Sequence, residues 1–392
     1  MATGSVENVL VYVSDSLRFD ALPESVAATG VTGRGIATST FTASGFPSIL
    51  TGTYPATHRV WNFEDALSRR PVLLRAFDQS GIDATHVWSN VDDPATKPPL
   101  RICGERRETT LEELSSPFSL VVHDRGGHML YGERARADDW DSHSDFFDEF
   151  GKDRATISEL YAEGVRESAE RFLEIRSALA SRGLLSNTLV VFTSDHGELQ
   201  GEYGGLYGHG SPLVPELVTV PIVFGGAGLP QGETFEGCLS TADITPTALG
   251  AAGHSHRRTD GVDLWSQPPP AERLVRAELW KSTSYDTVEY KASSVWSESG
   301  GYVRHLTPLS GRLAHLLGTK FYLADYANVV RRPSRGYLPL AASFLRAEPT
   351  YGDPPDRDRV EETLVTAFRE NDGTTTAPRT DRDHLRQLGY LE

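Results

Sequence analysis

The chain has 392 residues, 39% of them hydrophobic, and a formal net charge of −16. It is long enough to bury a large core and accommodate a smaller appended unit. The charge argues against a nucleic-acid partner held on a basic patch and against an anionic membrane surface, though not against a small anion held by bound cations. Only five of the 38 basic residues are lysines, and an arginine-based, carboxylate-rich surface is what adaptation to high salt predicts. No segment reaches the ~20 apolar residues of a membrane span. The first strand starts by about Asn8 with no basic-then-apolar leader before it, so the expected location is cytoplasmic. Cys103 and Cys238 are too few for a disulfide framework and read as buried thiols.

Taken in order, residues 8–14 form an apolar strand that ends on Asp15. Residues 39–52, Ser-Thr-Phe-Thr-Ala-Ser-Gly-Phe-Pro-Ser-Ile-Leu-Thr-Gly, read as a short helix with a hydroxyl-rich N-terminus and Gly52 as its stop. Unpaired N–H groups at such an N-terminus favour anions, which places a hydroxyl there to attack a phosphate or sulfate ester. Taken alone, the segment is equally well a capped helix. His58 reads as a turn residue, and Arg18 as a salt-bridge partner rather than a group orienting a site. Residues 71–79 carry the Pro-in, Gly-out signature of a helix, and 83–89 read as a strand.

Residues 118–123 form another apolar strand, followed by Asp124-Arg-Gly-Gly-His128. Residues 156–182 repeat apolar positions at helical spacing and end near Gly183. Residues 188–193 are a strand leading into Ser194-Asp195-His196-Gly-Glu, with Tyr207-Gly-His209-Gly beyond, and 218–224 are a further strand. Asp243-Ile-Thr-Pro-Thr-Ala-Leu opens a core helix. This alternation predicts an α/β fold with a mostly parallel sheet covered on both faces. Such sheets bind ligands at the carboxyl ends of their strands, where Asp15, Asp195 and His196 fall. Two oxygens and a nitrogen suit Zn²⁺ or Mn²⁺. Acidic residues after strands also serve as helix caps, and for Asp15 by itself that reading stands beside the metal one.

Residues 91–117 and 134–153 read as solvated surface loops rather than lids. Gln267-Pro-Pro-Pro-Ala marks a boundary between a core, 1–270, and a smaller C-terminal subdomain, 271–392. In the latter, 273–279, 286–296 and 302–307 read as antiparallel strands, 357–370 as a helix and 371–383 as an exposed connector.

The opening strand with Asp15, the 39–52 segment, Ser-Asp195-His196-Gly and the terminal His384-Leu-Arg-Gln-Leu-Gly-Tyr-Leu resemble, in type and order, the sulfatase and alkaline phosphatase superfamily. The resemblance implies an alkaline phosphatase-like fold with a C-terminal α+β subdomain. It also implies a nucleophile ten residues before Gly52, which is Thr42; Ser44 fits that spacing less well. Sulfatases of the superfamily oxidise Cys or Ser to formylglycine, an aldehyde, whereas threonine would give a ketone. The motif's proline is replaced by Ser44, its anion-clamping arginine by Phe46, and the second aspartate of the calcium site by Ser16. His196 stands where calcium-dependent members place an asparagine, so Ca²⁺ is disfavoured.

These departures resemble the phosphate-ester branches, in which an unmodified Thr or Ser attacks. Asp15, Thr42, Asp195 and His196 would hold one ion. Asp124-x-x-Gly-His128 with His209 resembles the second zinc set of nucleotide pyrophosphatase-type members. The alternative is that His128 and His209 contact the substrate directly. His123 is read as a strand-end residue and is the substitute for Asp124. The expected activity is hydrolysis of a phosphate mono- or diester through a phospho-threonine. A sulfuric ester is the alternative substrate, and a transferase or mutase the alternative reaction. A non-catalytic relative binding an anionic glycan or lipid headgroup is the contrasting possibility. The complete set Asp15, Thr42, Asp195 and His196 weighs against it.

Overall fold

The computed structural model describes residues 6–87, 97–133, 143–150, 153–255, 258–282, 289–318 and 337–371. Seven strands form the central sheet. They are β1 (Asn8–Ser14), β2 (Gly30–Ile36), β3 (Gln79–Asp83), β4 (Phe118–Asp124), β5 (Thr188–Thr193) and, after a small hairpin of β6 (Leu199–Gly201) and β7 (Leu206–Gly208), β8 (Thr219–Gly226) and β9 (Glu233–Ser240). Their order is β3-β4-β1-β5-β8-β2-β9. All run the same way except β8, which pairs antiparallel with both β5 and β2. The mostly parallel α/β sheet expected from the sequence is present.

The sheet is buried on both faces because its central strands alternate between two apolar clusters. From β1, Val9, Val11 and Val13 face Phe46, Ile49 and Leu50 of the helix Thr42–Thr51. Leu10 and Tyr12 face the opposite way, onto Leu160, Tyr161 and Phe172 of the helix Arg154–Ser181. Burying one such side chain contributes about 1.5–3 kcal/mol. The long helix starts where Asp153 accepts from the amide of Ala155, and its buried residues recur at three- and four-residue spacing. Tyr12 also donates its hydroxyl to the Ser168 carbonyl at 3.0 Å, fixing helix to strand.

A second, antiparallel sheet follows: β10 (Val275–Ser282), β11 (Glu289–Trp296), β12 (Gly300–His305) and β13 (Thr350–Gly352). Val275, Ala277, Leu279 and Tyr290 join the same apolar cluster as β1 and the helix Thr42–Thr51, so one core runs continuously into this sheet. Among the described residues, no helix is long and apolar enough to cross a membrane. Cys103 and Cys238 are buried and unbridged.

Several elements differ from expectation. The strand placed at 83–89 lies earlier, at Gln79–Asp83, and the helix placed at 71–79 is the single turn Val72–Arg75. The helix placed at 357–370 spans Arg357–Thr363. The strands β2 and β9 were not anticipated. Gly-Val-Thr-Gly-Arg-Gly-Ile holds three glycines, and the edge strand β9 opens on exposed polar residues, so neither carries an apolar period. The 371–383 connector beyond Asn371, the His384 segment, and residues 91–96, 134–142 and 151–152 of the expected loops lie outside the described residues.

Candidate functional site

Parallel pairing fixes where the chemistry gathers. In register, Ser14 of β1 stands beside Asp124 of β4, and Val13 beside Thr193 of β5. Asp15 and Asp195 therefore emerge from neighbouring strands at the same sheet edge. Ser16 turns the chain sharply away with a left-handed backbone, φ 61°, a costly conformation for a non-glycine residue. It is held there by the Tyr161 hydroxyl, which donates to the Ser16 carbonyl at 3.0 Å.

Asp15, Asp195 and His196 are fully buried, with ligand atoms all within 4.8 Å of one another. The His196 Nε2 lies 3.7 Å from Asp15 Oδ1 and 3.6 Å from Asp195 Oδ2. Its other nitrogen, Nδ1, is 2.9 Å from the Gly197 carbonyl, which can only accept. Nδ1 therefore carries the proton and Nε2 presents a lone pair to the carboxylates. Asp195 Oδ1 takes the His196 amide at 3.1 Å, while its buried Oδ2 receives no hydrogen bond. A buried, unsatisfied carboxylate oxygen beside a second carboxylate is costly unless a cation is present. This donor set fits a divalent transition ion.

Thr42 joins the cluster from the other side of the sheet edge. It is the first residue of its helix, and its Oγ1 lies 3.0 Å from His196 Nε2. Gly45, one turn on, lets the helix press against the Asp195 backbone: a Cβ there would stand 2.7 Å from the Asp195 carbonyl oxygen. At the far end Gly52 stops the helix in the left-handed conformation, φ 68°. Ser44 points elsewhere, donating to Ser39 Oγ at 2.7 Å.

The three histidines expected nearby behave differently from Asp124. His209 packs its ring 4.3 Å from that of His196 and 5.0 Å from that of His128, so the imidazoles form a row beside the cluster. His128 donates Nδ1–H to the Met129 carbonyl. Asp124, by contrast, is turned to the long helix. Both its oxygens accept from Arg171, at 2.7 and 3.0 Å, and Oδ1 also accepts from the Gly126 amide. Burial pushes its pKa up, but Arg171 and these hydrogen bonds outweigh that and hold it low. Among the described residues, only Asp15, Asp195 and His196 bring three such ligand atoms together. Asp124, His128 and His209, expected as a second-ion set, do not bring three ligand atoms within 4.8 Å of one another, and Arg171 holds both oxygens of Asp124.

His123 is also buried beside the cluster, with Nε2 3.6 Å from Asp15 Oδ2 and Phe46 against its ring. Burial drives its pKa down to about 4, against the opposing charges of Asp195 and Asp124, so it is a neutral imidazole. Arg18 pairs with Asp20 and Glu202. His58 closes a short helix and contacts Ser48 Oγ at 2.9 Å.

Glu198 was not anticipated. It is fully buried, takes the Tyr131 hydroxyl at 3.0 Å on one oxygen and faces His209 Nδ1 at 3.0 Å on the other. Burial raises its pKa well above the usual carboxylate range. Its place two residues after His196, in a turn leading to β6, was the available signal.

A sheet edge that sets two carboxylates and an imidazole against a hydroxyl at a helix N-terminus is an arrangement suited to ester cleavage, and the fold is alkaline phosphatase-like. The family model described as Sulfatase matches residues 105–254. The low-salt glycan biosynthesis sulfotransferase Agl7 of Haloferax volcanii is 40% identical over 333 residues, which cover 83% of this chain and 81% of that protein. The phosphonate monoester hydrolase of Agrobacterium radiobacter has the same fold, with a TM-score of 0.57 at 18% identity, covering 86% of this chain and 95% of its own. A protein solved with its substrate D-glucosamine-2-N,6-O-disulfate gives a TM-score of 0.56 at 13% identity, covering 87% and 98%. The chain belongs to the sulfatase family.

Proposed function

We propose that this protein is a metal-dependent hydrolase of phosphate esters in which Thr42 is the nucleophile. The Thr42–His196 contact of 3.0 Å carries the reading. At that distance the Nε2 lone pair and the Thr42 oxygen could be shared by one ion, which would take up the Nε2 lone pair and leave the Thr42 oxygen directed at the ester. In-line attack forms a Thr42 O–P bond and breaks the bond from phosphorus to the leaving oxygen, the hydroxyl proton passing to water and the leaving oxygen taking one from water as it departs. Water then cleaves the phospho-threonine in a second displacement. His128 and His209, in the row beside His196, would contact the substrate's oxygens, with Glu198 and Tyr131 holding the His209 ring. Asp15, Asp195 and His196, with Thr42, would hold Zn²⁺ or Mn²⁺, which when bound lowers the hydroxyl pKa and neutralises the developing charge. Ca²⁺ suits an imidazole-bearing set less well.

A second reading shares the covalent step. The relative from Haloferax volcanii is named a sulfotransferase, which favours a sulfuryl group passing from an ester through Thr42 to a sugar hydroxyl. The two readings separate when aryl phosphate, bis-aryl phosphate and aryl sulfate are supplied with Zn²⁺ or Mn²⁺ to the wild type and to Thr42→Ala. Phosphate turnover and a phospho-Thr42 peptide by accurate mass, both absent from the variant, are expected. Turnover of sulfate alone, retained in Thr42→Ala, overturns the assignment.

A further inference from the structure

The helix Thr42–Thr51 is buried from Thr42 to Leu50 and meets a groove only at its far end. About 14 Å from Thr42 by helical rise, around Thr51 and the turn that follows, lies an open groove of about 830 Å³. Five arginines line it: Arg59, Arg69, Arg70, Arg75 and Arg258. Among the described residues its lining includes no aspartate or glutamate. That is unexpected in a chain with 54 acidic and 38 basic residues.

The arginines do two kinds of work. Arg70 is structural: it pairs with Glu105 and donates to the Leu74 and Ser80 carbonyls at 3.0 and 3.1 Å. Arg69, Arg75 and Arg258 are exposed, and among the described residues none of the three is paired with a carboxylate. Three uncompensated guanidiniums converging on one groove repel one another, and an anion relieves that repulsion. Guanidinium forks match sulfate and phosphate oxygens in bidentate fashion. The hydroxyls of Thr51, Thr53 and Thr259 add polar surface between them.

We infer that this groove binds a polyanion bearing two or more sulfate or phosphate groups, at a site separate from the Thr42 cluster. Its volume exceeds what one such group fills. Among the described residues no Phe, Tyr or Trp lines it, so these offer no platform for stacked bases, and a single-stranded nucleic acid is the poorer fit. The inference does not depend on Thr42 being the nucleophile.

Calorimetric titration of the full chain with inorganic tripolyphosphate and with a heparin-derived hexasaccharide tests it, beside the triple variant R69A/R75A/R258A. Binding to the wild type is expected with at least one probe. It should weaken as KCl rises from about 0.15 M to about 1 M, because the screening length falls from about 8 to about 3 Å. The triple variant should bind at least tenfold more weakly while keeping wild-type circular dichroism and aryl-ester turnover. The tighter probe identifies the phosphorylated or the sulfated source. No binding to the wild type, equal binding to the variant, or tighter binding of a single-stranded oligonucleotide than of either probe overturns the inference.

Discussion

Glu198 Oε2 and His209 Nδ1 lie 3.0 Å apart in the buried interior, and Glu198 is itself held by Tyr131. The carboxyl thereby dictates which nitrogen of His209 faces the row of imidazoles. Groups that orient a metal-ligating histidine typically matter by about 10–100-fold, and the same scale is taken for His209 if it acts as proposed. Glu198→Ala should lower kcat by that amount, and Glu198→Gln, which can still accept from Tyr131, by less. Steady-state kinetics with circular dichroism as the folding control measure this; wild-type kcat in Glu198→Ala would assign Glu198 to packing alone.

Arg171 and Asp124 predict a stability effect and a metal count together. Asp124 is fully buried, and Arg171→Ala would leave its charge uncompensated. Loss of one partner of a buried pair costs about 3–5 kcal/mol. Urea unfolding should register that loss, and Asp124→Asn in the same background should recover part of it. Because Arg171 occupies both oxygens, Asp124→Asn should bind as many zinc ions as the wild type by atomic emission. A drop by one equivalent would restore the two-ion arrangement.

Two histidines away from the cluster make stability depend on pH. Burial pulls His58 down to about 3, against the Ser44 carbonyl. Burial, with Arg312 adding to it and the Ser343 carbonyl opposing, pulls His305 down to about 4. In the unfolded chain both return to about 6.5. The unfolded state therefore takes up protons first, and stability is full above about pH 6.5 and lost as pH falls below it. Each contributes a slope of up to about 1.4 kcal/mol per pH unit. The urea midpoint should be lower at about pH 5 than at about pH 7.5, and His58→Gln should flatten the difference.

The charge of −16 and the scarcity of lysine predict that stability holds or rises from dilute to molar KCl. Screening should relieve repulsion among carboxylates. Thermal unfolding across that range checks it, and unfolding at high salt rejects adaptation to a saline habitat.

How far the site could be read in advance depended on whether a residue's partner was local. Asp15, Asp195 and His196 follow apolar strands directly, and parallel pairing brings strand ends together, so their meeting was legible. Thr42 was placed only through the resemblance, which sets its position ten residues before Gly52; the structure puts it at the start of that helix, 3.0 Å from His196. The fate of Asp124 was not: its partner, Arg171, lies 47 residues on, and its place on the inner face of a 28-residue helix leaves no local mark. Glu198 was hidden for a similar reason, since His209 and Tyr131 reach it through turns. The arginine groove contradicts what net charge alone suggested, because a sum over the chain says nothing about where its terms sit.

The missing methyl group at Gly45 has a wider meaning than close packing. With backbone pressed on backbone, the spacing of the main-chain positions that carry the alcohol and the carboxylate is set by atoms that have no rotamers. A alanine at that position would act as a wedge, prising the two halves of the centre apart without touching any group that reacts. The tolerance of the chemistry is thus written into a residue that has no chemistry of its own.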